Sequence, residues 1–275
     1  MLKNFCSRLP HLLTKECCFR TDLNTSKDIY HRMADKAEVF ISSTTQRRLL
    51  KDVRDIVKNP LTEQGIYYAH DEEDMLTGYA LVFGPPDTLY ADGAYFFKFK
   101  FPSDYPFSPP KLQFMTANGN TRFNPNLYRS GKVCLSILNT WKGEQWTSCQ
   151  SIRSVLLNLV ILFHDKPLLN EPGIRETHLD FRPYNHILRY RNYETAILRI
   201  LSHELLPKEF ASFFPFVKAR ILREGDGIMK RLADLAASDL DGKTMSVGIY
   251  RMKCTLDYKN VFSKLSLAIY LLSQN

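Results

Sequence analysis

The chain has 275 residues, 44% hydrophobic and 24% charged, with a formal net charge of +8. That length suits one large domain, or one domain with an appendage, around a real core. No run of 18 apolar residues occurs, so no membrane-spanning helix is expected. The 37 lysines and arginines are spread along the chain rather than gathered into a basic block, which argues against nucleic acid and leaves acidic protein surfaces as partners.

The first 42 residues lack periodicity and read as a partly ordered leader, its apolar residues broken up by Asn4, Arg8, His11 and Lys15 in a way that opposes a secretory signal. The six cysteines (6, 17, 18, 134, 149 and 254) follow no disulfide framework, and there is no CxxC or Cys/His array of zinc spacing. Reduced thiols in cytosol or nucleus, and no bound metal, are the expectation.

From Ser43 the pattern sharpens. "SSTTQRRLLKDVRDIVKNP" sets Leu49, Leu50, Val53, Ile56 and Val57 on one helical face and Arg47, Arg48, Lys51 and Arg54 on the other. Ser43 with Gln46 forms the expected capping box, and Asn59-Pro60 ends the helix. Four strands follow in "GIYYAH", "MLTGYALVFGPP", "GAYFFKFKFP" and "KLQFM". In the third, Phe97, Phe99 and Phe101 alternate with Lys98 and Lys100, the period of a sheet with one wet face. Short connections predict an antiparallel meander. A turn-rich run from Met115 to Trp146 precedes a buried helix in "SCQSIRSVLLNLVILFHD". Only helices are expected after that, in "YNHILRYRNYETAILRILSHELL", "PKEFASFFPFVKARILRE", "GIMKRLADLAAS" and "DYKNVFSKLSLAIYLLSQN". The order defines an α+β protein with its helices segregated to one side.

The irregular run carries the chemistry. In "RFNPNLYRSGKVCLSILNTWKGEQW", Cys134 sits among turn formers, with no histidine or carboxylate in the nine residues before it. A thiolate attacking an unactivated amide needs a positioned base, and no histidine here stands in a protease context. A thiol exchanging with an arriving thioester needs exposure more than a base, because the acyl group is already activated.

These residues resemble a known family. "FKFKFPSDYPFSPPKLQFM", "FNPNLYRSGKVCLSILNTW" and the W-x-x-x-Q-S-I before the buried helix are similar to the catalytic domain of ubiquitin-conjugating enzymes, over about Thr44 to Tyr193. "NTRFNPNLYRSGKVCLSILNTW", "NEPG" and "LDYKN" resemble its Z type most closely. The resemblance implies the ubiquitin-conjugating fold: a four-stranded antiparallel meander flanked by helices, spanning 43–200, with a leader over 1–42 and a helical extension over 201–275. It implies that Cys134, eight residues after Asn126, accepts ubiquitin or a ubiquitin-like modifier as a thioester from an activating enzyme and passes it to a substrate lysine with a RING-type or HECT-type ligase. ATP is used by the activating enzyme alone, so no cofactor is expected on this chain.

Carried over by position, Asn126 would brace the loop or donate to the oxyanion. Asn124 stands where the family usually has histidine, a departure the Z type shares, and reads as structural. Phe107 matches the apolar ligase-contacting residue. Arg47, Arg48 and Lys51 match the face that meets the activating enzyme. The second ligase loop, usually Trp-Ser-Pro-Ala, here reads Trp146-Thr147-Ser148-Cys149, and loss of its proline is expected to loosen it. Candidates for handling the acceptor amine are His164, Asp165, Asn170 and Glu171. The rival reading is a non-catalytic, modifier-binding scaffold of the same fold.

Overall fold

A computed structural model describes residues 41–274, and the chain from Ile41 onward is one compact unit. All but Ile41 and Ser42 of the leader expected over 1–42, Cys6, Cys17 and Cys18 included, lies outside the described residues.

Helix α1 spans Ser43–Lys58, with its cap one residue earlier than expected. Ser42 is the N-cap, its hydroxyl accepting the Thr45 N–H at 3.1 Å. This register turns Thr45 inward, where its hydroxyl donates to the Ser103 carbonyl at 2.8 Å. The Gln46 amide donates to the Ile41 carbonyl, so the Ser43/Gln46 capping box does not form. Leu49 and Ile56 are buried while Leu50 and Val57 face outward, a narrower stripe than the sequence pattern indicates.

The expected meander is present. Strands β1 (Ile66–His70), β2 (Thr77–Phe83), β3 (Ala94–Lys100) and β4 (Lys111–Phe114) pair antiparallel in sequence order. On the inner face Phe97 lies against Phe114, with ring centroids 5.4 Å apart. Tyr95 stacks at 4.5 Å on Phe163, just beyond helix α2 (Ile152–Ile161). Ser151 caps α2 and Ser154 completes a capping box.

The outer face is not wet. The pairings Tyr67↔Leu81, Leu81↔Phe96 and Tyr79↔Lys98 put those residues on one face by strand alternation. A 3-10 turn at Lys208–Phe213 and the start of helix α4 (Phe214–Ala237) lie across it. Phe210 packs 5.0 Å from Phe96 and 5.3 Å from Tyr79, and Phe216 stacks 4.4 Å from Tyr67. Phe96 and Phe210, both fully buried there, are each worth about 1.5–3 kcal/mol, enough to bind the C-terminal segment to the sheet. Lys98 stays in this layer by reaching Glu209 at 3.7 Å.

Helix α3 (Phe181–Arg191) continues through a π-helical turn, Asn192–Leu198, and a last turn, Arg199–Leu201. There the buried Asn192 accepts from the Tyr95 hydroxyl at 2.6 Å and donates to the Ala91 carbonyl at 2.8 Å. The two helices expected over 208–238 are joined in α4, which runs unbroken through Gly225 and Gly227. A second correction follows α4. Strands β5 (Thr244–Val247) and β6 (Met252–Thr255) form a hairpin before helix α5 (Tyr258–Ser273), so the extension is helical but not only helical. No helix among the described residues is long and apolar enough to cross a membrane, and none of their side chains cluster as a metal site.

Candidate active site

Residues 124 to 134 fold back on themselves. The Asn124 carbonyl accepts the Leu127 N–H at 2.9 Å, Leu127 bridges to Val133, and Tyr128 N donates to the Lys132 carbonyl at 2.9 Å. Gly131 closes the tip at φ 85°, and a Cβ there would lie 2.9 Å from the Phe114 carbonyl oxygen, so this turn requires glycine.

The ladder ends at the cysteine. Cys134 N donates to the Asn126 carbonyl at 2.9 Å, and the Asn126 amide donates to the Cys134 carbonyl at 2.7 Å. Of the two roles left open for Asn126, its side chain here braces the loop. Asn124 is fully buried, donating to the Leu162 carbonyl at 2.8 Å while its oxygen accepts Asn126 N at 2.9 Å and the Asn170 amide at 3.3 Å. Lys166 N points at Nδ1 of His164 at 3.2 Å, which leaves Nε2 as the donor to the Asn170 oxygen, also at 3.2 Å. His164, Asn170, Asn124, Asn126 and the Cys134 peptide therefore form one hydrogen-bonded chain. Cys134 itself is only 2% exposed. The exposure expected of a carrier thiol is reduced because its ladder bonds set it between buried Val133 and Leu135.

The residues assigned to partners gather on two loops and one helix. Phe107 is 71% exposed in the turn after Pro106, and the Trp146 indole N–H donates to the Pro106 carbonyl at 2.7 Å, tying the two loops together. Arg47 and Lys51 are exposed on α1. Arg48 is not free: its guanidinium bonds Asp52 at 2.9 Å, the Ser148 carbonyl at 2.5 Å and the Gln150 carbonyl. Those bonds, together with Gln150 N donating to the Thr147 carbonyl, tie down the 146–150 loop where the usual proline is absent. Cys149 is exposed at its tip.

The acceptor-side candidates separate. Asp165 is exposed, while Glu171 accepts the Tyr250 hydroxyl at 2.5 Å. Tyr250 belongs to the turn of the β5–β6 hairpin, which the sequence reading missed. Asp180 anchors that turn through Gly248 N at 3.0 Å and Ile249 N at 2.9 Å. Burial first, and then the bond to Glu171, push the Tyr250 hydroxyl well above its ordinary pKa. Arg122 lies between two rings, 3.7 Å from Tyr128 and 4.5 Å from Tyr250, and the Arg129 guanidinium donates to the Tyr250 carbonyl. The signal for this hairpin was the alternation in "TMSV" and "MKCT" around a Gly-containing turn.

The fold and the cysteine turn together define the ubiquitin-conjugating domain, and the chain belongs to the ubiquitin-conjugating enzyme family, whose model matches residues 48–183. It is similar to ubiquitin-conjugating enzyme E2 Z of Xenopus tropicalis, 39% identical over 77% of this chain and 71% of that protein. The E2 Z of Homo sapiens is 34% identical over 80% of this chain and 61% of its own length. The human dual E2 ubiquitin-conjugating enzyme/E3 ubiquitin-protein ligase BIRC6 is 40% identical over 52% of this chain but 3% of that protein.

Proposed function

We propose that this chain accepts ubiquitin or a ubiquitin-like modifier on Cys134 and transfers it to a substrate lysine. The Cys134 thiolate would attack the thioester carbonyl of the charged activating enzyme, whose thiolate leaves. A lysine amine would then attack the new thioester, losing a proton as the Cys134 thiolate departs. Both steps begin from an activated acyl group, so they call for no metal or organic cofactor, and ATP enters only at the activating enzyme.

The reading is carried by one observation: Cys134 closes a ladder whose last two bonds are both made to Asn126. Glu171, held by Tyr250, is one of the groups that could orient the incoming amine, beside His164, Asp165 and Asn170. Exposed Phe107 with the Arg48-pinned 146–150 loop supports a RING-type or HECT-type ligase as partner, and exposed Arg47 and Lys51 support docking of the activating enzyme. The reduced thiols Cys134, Cys149 and Cys254 fit a cytoplasmic or nuclear setting.

The near-complete burial of Cys134 favours a second reading, a scaffold that binds modifier without carrying it. Substituting Cys134→Ser separates the two. A carrier traps the modifier as an oxyester that resists thiol reductant, whereas a scaffold binds it with no covalent product.

A further inference from the structure

Beside the cysteine turn lies a cleft of about 410 Å³ with no assigned occupant. Arg122, Tyr128, Arg129 and Ser130 line one wall, and Tyr250 and Arg251 of the C-terminal hairpin line the other. Among the described residues no carboxylate lies within 4.0 Å of the guanidinium of Arg122, Arg129 or Arg251. Other partly buried arginines of the fold are paired, as in Arg48–Asp52, Arg153–Asp55 and Arg220–Asp92.

Arg122 shows the imbalance best. Its guanidinium is stacked between the Tyr128 and Tyr250 rings, and its Nη2 donates to the Pro125 carbonyl at 2.5 Å. Its Nε is buried with no hydrogen-bond partner among the described residues. Arg122 is partly buried, and its idle buried donor beside two further unpaired guanidiniums leaves the cleft short of an anion. The cleft therefore fits a carboxylate received by its remaining guanidinium donors, beside the aromatic faces of Tyr128 and Tyr250.

Its position identifies where the carboxylate comes from. Tyr128 pairs with Lys132, two residues from Cys134, or about 7 Å along an extended strand. Tyr250 connects the cleft to the acceptor side, because its hydroxyl donates to Glu171 while its ring covers Arg122. A peptide whose lysine reaches Cys134 would carry the residue two or three positions away about 7–10 Å along its backbone, a span comparable to the offset of Tyr128 from the cysteine. Resting on the carrier reading above, we propose that the cleft binds an Asp or Glu side chain of the acceptor polypeptide two or three residues from the modified lysine. The C-terminal hairpin would thus select acceptors by charge.

The test uses the full chain and a short fluorescent peptide with a central lysine and glutamates two and three residues beyond it. Its partner has glutamines there. By fluorescence anisotropy the glutamate peptide should bind about tenfold more tightly, and Arg251→Gln should abolish the difference. Arg251 is exposed at the hairpin turn, so this variant tests the cleft without removing a member of the Arg122 stack. Equal affinities, or a preference that persists in R251Q, overturn the proposal. Displacement of the peptide by inorganic phosphate at far lower concentration than by acetate reassigns the cleft to a phosphoryl group and also overturns it. With Cys134 charged, discharge to the two peptides should differ by a similar factor. If no charging occurs, the carrier reading fails, and the binding comparison still decides the cleft.

Discussion

The Tyr250 hydroxyl donates to the Glu171 carboxylate at 2.5 Å, joining a C-terminal hairpin to the loop that follows the buried helix α2. A hydrogen bond to a charged group is worth about 1.5–3 kcal/mol, so Tyr250→Phe should lower stability by roughly that amount in urea titration. The folded chain holds the Tyr250 proton more tightly than the unfolded chain, because the side chain is buried and Glu171 accepts it. Its folded pKa lies above the ordinary 10.0, so this contribution is complete below that pH and is lost as pH rises beyond it. Thermal melts at rising alkaline pH should therefore fall more steeply for the wild type than for Y250F.

Arg48 links α1 to the 146–150 loop through two carbonyls and compensates Asp52, which is buried and also accepts the Tyr105 hydroxyl. Arg48→Ala leaves Asp52 without its cation and should cost about 2–3 kcal/mol, the lower end for a partly buried pair. Amide exchange at Thr147 to Gln150 should accelerate in the same variant. Unchanged exchange there would show that the loop is held without Arg48.

The Asn124 side chain accepts the main-chain N–H of Asn126, whose own side chain braces Cys134, so the two lie in one network and their contributions should not add. Removing either leaves buried polar groups without partners, at about 1–3 kcal/mol each. A double-mutant cycle of Asn124→Ala and Asn126→Ala should give a coupling energy of at least about 0.5 kcal/mol. Asn126→Ala should still accept modifier but discharge it slowly to lysine, as single-turnover assays would register.

His70 makes the fold acid-sensitive. It lies partly buried at the end of β1, with the Tyr68 hydroxyl 2.8 Å from Nδ1 and the Met75 carbonyl 2.8 Å from Nε2. Burial holds its pKa below the ordinary 6.5, against the smaller opposing pull of Met75, Asp71 and Asp74. Its contribution is therefore complete above that value and lost as pH falls through the folded pKa. His70→Gln keeps a donor toward Met75 and cannot charge, so its Tm should drop less than the wild type's between about pH 7.5 and about pH 5.5.

The meander, both capped helices of the ubiquitin-conjugating domain and the cysteine turn were legible because each follows local rules: alternation in "YFFKFK", Ser before an apolar run, and turn formers around Cys134. Features that depend on distant parts of the chain were not. Phe96 reads as an ordinary strand residue until Phe210 covers it. Arg48 reads as one of several surface cations until Ser148 and Gln150 come within reach. The hairpin around Tyr250 was lost among helical patterns, because two four-residue strands carry little periodicity and their anchor, Asp180, is remote in sequence.

The central claim is that Cys134 carries the modifier, and incubation with ATP and a panel of activating enzymes and modifiers tests it most directly. Non-reducing electrophoresis should show an adduct one modifier heavier that collapses on addition of thiol reductant. It should be present in Cys149→Ala and absent in Cys134→Ala. No adduct with any pair, or one that persists when Cys134 is removed, would contradict the account.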